Sequence, residues 1–167
     1  GRGDVYLLPN EFVYVIGDYA NIDKIEAYHH GYTRQPQVLK FHEYRMVFEG
    51  ANKDAQIAGS KEQATYYNYF LGSDSTKWKT GIHPFLALDY YNLYNGINMH
   101  VSSEEGSIKY EFIVTPGSNT DLVKMNYEGA DGLQVNKAGN LIIKTSVGDV
   151  TELQPFAYQY VNGQRIE

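Results

Sequence analysis

The chain has 167 residues, no cysteine, 14 basic and 20 acidic side chains and a formal net charge of −6. The missing cysteine rules out disulfides, thiolate metal ligands and cysteine nucleophiles. The acidic balance argues against a nucleic-acid or anionic-membrane partner, and no apolar run approaches the ~20 residues of a membrane-spanning helix. Thirty-one Val, Ile and Thr and 24 aromatic residues stand against 21 Ala and Leu. β-Branched and aromatic side chains fit a pleated, half-buried surface and lose rotamer freedom in helices. The expected class is therefore all-β: an antiparallel β-sandwich or two packed β lobes, with at most one or two short helices and at least eight strands.

In chain order, residues 4–8 and 11–16 form a first hairpin about Pro9-Asn10, with Phe12, Tyr14 and Ile16 on one face and Val13 and Val15 on the other. Residues 21–31 suit a short helix: Asn21 can cap it, Ile22, Ile25 and Ala27 make an apolar stripe, and Gly31 can stop it. Residues 32–37 read as loop. Residues 38–48 alternate throughout, placing Tyr44, Met46 and Phe48 on one side of a long strand. A turn follows over residues 49–54. Residues 65–71 are aromatic and strand-like, residues 73–78 form a loop or single turn carrying Trp78, and residues 85–91 are a further apolar strand before a turn at residues 92–96.

The clearest hairpin joins residues 97–102 to 107–114 through Glu104-Glu105-Gly106. Short strands then recur between turns at Ala130-Asp131-Gly132, Lys137-Ala138-Gly139-Asn140 and Gly148-Asp149. Asn162-Gly163 is a type I′ signal, because both central positions need positive φ; only four residues follow it, which suggests a returning strand cut short and a fragment of a longer protein. The reading is one β-rich domain over residues 1–167, with sub-lobes at about 1–60 and 61–167. Phe48, Ile97, Met99, Tyr110, Phe112, Met125 and Leu141 lie on the apolar sides of their runs and form the expected core. The segment from Met46 to Asn52 echoes that from Met125 to Asp131, each running two same-face apolar residues into a glycine turn.

The motif census for chemistry is nearly empty. None of His29, His30, His42, His83 and His100 has a metal-ligand spacing. Gly-x-Ser-x-Gly and phosphate-loop patterns are missing. The acidic residues Glu104, Glu105, Asp131 and Asp149 sit in turns, and Glu111 shares a strand face with Lys109, which fits surface charge better than a glycosidase carboxylate pair. Asp18, Asn21 and Asp23 fit a loop or cap better than a calcium site. Arg2-Gly3-Asp4 spells an adhesion tripeptide that chance explains. The informative feature is the crowding of Tyr66-Tyr67-Asn68-Tyr69-Phe70, Trp78 and Tyr90-Tyr91-Asn92-Leu93-Tyr94. Consecutive strand residues face opposite ways, so these rings cannot all enter one core. Trp78, Tyr66, Tyr67 and Tyr90 are the candidate ligand-binding residues; Trp78 folding back onto its own core is the competing reading.

The run from Tyr67 to Trp78, Tyr94-Asn95-Gly96-Ile97-Asn98, the run from Ile108 to Gly117, the run from Tyr127 to Leu133, and the tail segments 145–149 and 153–159 together resemble a known family. It is the N-terminal domain of unknown function of large bacterial surface proteins, which continue into β-propeller-type SBBP repeats or PKD domains and end in a type IX secretion sorting signal. The resemblance implies secretion or a bacterial cell-surface location outside the outer membrane, with neighbouring domains of the same chain as partners. It assigns no catalytic residue, and where the family pattern often has Asp this chain has Glu111. The expectation is a non-catalytic structural or adhesive module meeting a surface polysaccharide or protein, with no cofactor, metal, nucleic acid or membrane insertion. A carbohydrate-binding module is the second reading and a glycoside hydrolase the third.

Overall fold

The computed structural model describes residues 2–20, 22–32, 38–104 and 106–167. The expected cap at Asn21, the loop over 33–37 and Glu105 of the hairpin turn lie outside the described residues. The rest is all-β with a single α-helix, and the strand pairs of known register are antiparallel.

In chain order the elements are β1 (Arg2–Leu7), β2 (Glu11–Gly17), α1 (Ile22–His29), β3 (Phe41–Phe48), β4 (Gln56–Glu62), β5 (Tyr67–Tyr69), β6 (Lys79–Ile82), β7 (Phe85–Tyr94), β8 (Ile97–Glu104) and β9 (Ser107–Val114). They continue with β10 (Met125–Glu128), β11 (Gly132–Val135), β12 (Leu141–Lys144), β13 (Val150–Glu152), β14 (Gln159–Val161) and β15 (Gln164–Ile166), with 3-10 turns at Ser75–Lys77 and Thr120–Leu122. The chain forms two compact units: residues 1–7, 12–47 and 126–167, and residues 8–11 and 48–125. This division interleaves three segments of the chain with two.

The first unit holds the sheet ordered β1-β2-β3-β10, the sheet β11-β12-β13 and the hairpin β14-β15. Alternation does what it should in β2 and β3: Phe12, Tyr14, Tyr44 and Met46 are buried, while Glu43 and Arg45 point to water and pair with each other at 3.6 Å. Tyr14 and Tyr44 stack face to face, ring centroids 4.6 Å apart and 5° from coplanar. Burial pushes both phenols well above the ordinary tyrosine range, and the Glu152 carboxylate adds to it. The first strand of the long alternating segment begins only at Phe41. In α1 the three stripe residues Ile22, Ile25 and Ala27 are the half-buried ones, and the Tyr32 amide donates to Ala27 O at 2.8 Å as Gly31 (φ 74°) ends the helix. The two segments that echo each other in sequence end β3 and β10, which are neighbours in one sheet. Asn162 (φ 52°) and Gly163 (φ 78°) make the expected turn, and residues 164–166 are the returning strand, so Tyr160 pairs with Arg165.

The second unit is built on the sheet β4-β7-β8-β9 and the hairpin β5-β6. β7 runs through the expected turn at Asn92 with an irregular register, and the tight turn falls at Asn95-Gly96. Tyr90, Leu93, Tyr94, Ile97, Met99 and Val101 are buried, and Phe48 meets Phe112 edge to face at 6.2 Å. Of the expected core, Phe48, Ile97 and Met99 are buried. Tyr110 and Phe112 are only half-buried because β9 is the outer strand of its sheet, and Leu141 is half-buried where the short β12 instead buries Ile143. Met125 is a correction: it is 37% exposed, its sulfur receiving the Tyr110 hydroxyl at 3.7 Å. Phe48→Ala is accordingly expected to cost about 3–5 kcal/mol, and Met125→Ala less than about 1 kcal/mol, in urea denaturation; equal losses would mean the core is drawn wrongly.

Candidate functional site

The aromatic segment is presented by the β5-β6 hairpin. Tyr67 pairs with Ile82 and Tyr69 with Lys79, with an irregularity between them. Asn68 fills that gap with its side chain, accepting from the Gly81 amide at 2.9 Å. Among the described residues no third strand joins this hairpin, and Tyr66, Tyr67, Tyr69, Phe70, Trp78 and Ile82 are all exposed.

Trp78 is fixed by its loop. Asp74 accepts from the Thr76 amide at 3.1 Å and the Thr76 hydroxyl at 2.6 Å, and its own carbonyl receives the Lys77 amide, closing the 3-10 turn that delivers Trp78. The indole N–H donates to Gly72 O at 3.2 Å, and the ring stands edge-on to Phe70, centroids 5.3 Å apart and 82° between planes. Trp78 therefore folds back onto its own loop, yet keeps 41% of its surface in solvent. Tyr66 lies 6.0 Å from the His83 ring, whose Nδ1 sits 3.0 Å from Gln63 O.

Tyr90 corrects the expected set. It is fully buried on β7, opposite Met99, and burial pushes its phenol above the ordinary range. The pair Tyr90-Tyr91 must split between faces, and register sends Tyr90 inward and leaves Tyr91 exposed. Trp78, Tyr66 and Tyr67 share one hairpin; Tyr90 does not belong with them.

Two features escaped the sequence. On the polar face of the main sheet, the register lines up Ala58, Asp89, His100 and Glu111 across four strands. His100 Nδ1 donates to Asp89 Oδ1 at 2.6 Å, which holds that carboxyl below its usual range against the opposing effect of burial, with Ser60 and Lys61 contributing less. The buried Ser60 hydroxyl has no hydrogen-bond partner, so these groups do not form a nucleophile–base–orienter triad. Glu111 pairs with Lys109 at 3.2 Å. The second feature is in the first unit: Phe156, Tyr158 and Tyr160 form an exposed row two residues apart, with the Arg165 guanidinium 4.3 Å from the Tyr158 ring centroid and paired to Glu167 at 2.6 Å. The i, i+2 spacing was visible in sequence; the Arg165 partner needed the hairpin register.

The remaining motifs have structural places. Asp18 accepts the Ala20 amide at 3.0 Å as a local turn, and Gly3 and Asp4 of the adhesion tripeptide pair with Ile16 and Val15 inside a ladder. Among the described residues no group of three or more His, Cys, Asp or Glu is placed to hold a metal ion, and no helix is long and apolar enough to cross a membrane.

Over residues 1–167 the chain matches the family described as Domain of unknown function (DUF7948). It belongs to that family. No curated protein and no solved structure matches it.

The cap at Asp74 makes the Trp78 loop acid-sensitive. Hydrogen bonds from the Thr76 hydroxyl, then the Thr76 amide, hold the Asp74 carboxyl below its ordinary value. Because the folded value is the lower one, this contribution is complete above about pH 3.9 and is lost as pH falls through the folded value. Trp78 emission is expected to change with a midpoint below about pH 3.9 while far-ultraviolet circular dichroism holds steady. Asp74→Asn, which keeps the acceptor without the titration, should abolish the change; an unaltered midpoint in that variant would disprove the role.

Proposed function

We propose that this domain is a non-catalytic β module of an exported, cell-surface protein, adhesive in role, whose contact surface is the β5-β6 hairpin. One observation carries the reading: Tyr66, Tyr67, Tyr69, Phe70 and Trp78 are all exposed on a single small element, with Trp78 held by a hydrogen bond and an edge contact. Rigid amphipathic rings give contact area at low entropic cost, which is why Tyr and Trp concentrate at interfaces. The extracellular setting is supported by the motif resemblance to large bacterial surface proteins.

Carbohydrate binding is the second reading, favoured by the orientation of Trp78. Its indole N–H is already satisfied by Gly72, and its edge contact with Phe70 leaves ring surface available for stacking on a sugar. Lys77 and Lys79 flank it and can donate hydrogen bonds to hydroxyls.

Glycan-array and bacterial-polysaccharide pull-down screens of the wild type, Trp78→Ala and Tyr67→Ala separate these readings. Loss of glycan binding by both variants, at unchanged melting temperature, supports the sugar site. Retention of adhesion to cells with no glycan bound supports a protein partner on the same hairpin. Binding that survives both substitutions removes the hairpin from the contact surface. Tyr90→Ala, by contrast, is expected to act on stability alone, costing about 3–5 kcal/mol as a truncated buried aromatic.

A further inference from the structure

His42 on β3 is half-buried and uses both ring nitrogens. Nε2 lies 2.9 Å from the Gly129 carbonyl at the end of β10. Nδ1 receives the Ser146 backbone amide at 3.1 Å and lies 3.0 Å from the Ser146 hydroxyl. A carbonyl can only accept and an amide can only donate, so the two contacts fix the tautomer: Nε2 carries the proton and Nδ1 presents its lone pair. Gly129 itself sits at φ 85°, and a Cβ there would stand 3.0 Å from Glu43 O, so the carbonyl that receives His42 is set by a position glycine suits.

Ser146 belongs to the turn between β12 and β13, which is otherwise closed from within. The Thr145 hydroxyl donates to Gly148 O, the Val147 amide donates to Thr145 Oγ1 at 3.3 Å, and Lys144 pairs with Asp149 across its base. The contacts from Ser146 to His42 tie this turn to β3. Residues 147–151 together with Ile16 line an open cavity of about 350 Å³. The turn that His42 holds is thus one wall of that cavity.

We propose that His42 is an acid-released latch on this turn, so that the cavity wall is held in place at neutral pH and freed when the imidazole takes a second proton. A proton on Nδ1 removes the only feature the Ser146 amide can donate to there. The Ser146 hydroxyl can reverse its role and accept from the protonated ring; the amide cannot. The charged groups on the elements His42 bridges are Glu128 and Asp131 beside Gly129, the paired Lys144 and Asp149 at the turn, and the paired Glu43 and Arg45 on β3 itself.

Nitrogen-15 imidazole spectra and amide exchange of the wild type test this directly. At about pH 8 the His42 ring is expected as the Nε2–H tautomer, and the Ser146 protection factor should fall roughly tenfold between about pH 8 and pH 5. Ile143, buried in the adjoining β12, serves as the control and should hold its protection. His42→Gln, which can still accept the amide but does not titrate, should flatten the Ser146 profile. An Nδ1–H tautomer at neutral pH, or a Ser146 protection factor independent of pH in the wild type, overturns the latch. Should the Gln variant not fold, those two wild-type readings decide alone.

Discussion

The antiparallel pairing of β7 with β8 sets Tyr90 opposite Met99 and Leu88 opposite Val101, and side chains alternate along a strand, so the same register sends Asp89 and His100 to the reverse face. A slip of one residue would exchange the faces, burying a carboxylate and an imidazole while exposing Tyr90 and Met99. The apolar side is therefore what specifies the register, and the polar pair is its by-product. The Asp89–His100 hydrogen bond is made possible by pairing that was decided by the core.

The β5-β6 hairpin has no such constraint acting on it. Two short strands without a third or a covering layer are marginal in water. What orders this one is local: the Asn68 side chain bridging the irregular register, the Asp74 cap, and the indole bond to Gly72. Polar side chains that satisfy backbone groups here replace the burial that stabilises the main sheet. That is why so many rings can remain at the surface without the segment being unstructured.

Much of the fold was legible because period-two alternation reports burial directly. The hairpins about Pro9-Asn10, about Gly106 and at Asn162-Gly163, and the stripe Ile22, Ile25 and Ala27 in α1, all follow from spacing. β4 was not legible: Gln56-Ile-Ala-Gly-Ser-Lys-Glu62 has no apolar alternation, and it is a strand because β7 offers it a ladder from Gln56 to Glu62. The site was legible by composition and not by parity. The aromatic crowding pointed to the right segment, but nothing in Tyr90-Tyr91 says which ring turns inward. The long-range partners, His100 for Asp89, Arg165 for Tyr158 and Ser146 for His42, depend on registers and turns that no local pattern encodes.

The stacked Tyr14 and Tyr44, with Tyr90 in the other unit, give the domain an alkaline boundary. Each of these phenols keeps its proton to higher pH when folded than when unfolded. Their contribution is complete below the unfolded value of about 10 and drains away as pH climbs above it. Burial raises the Tyr94 phenol in the same way, so these four rings must wait for the sheets to open before they ionise. At alkaline pH the ionisation of these buried phenols and the loss of the fold are therefore one event, not two.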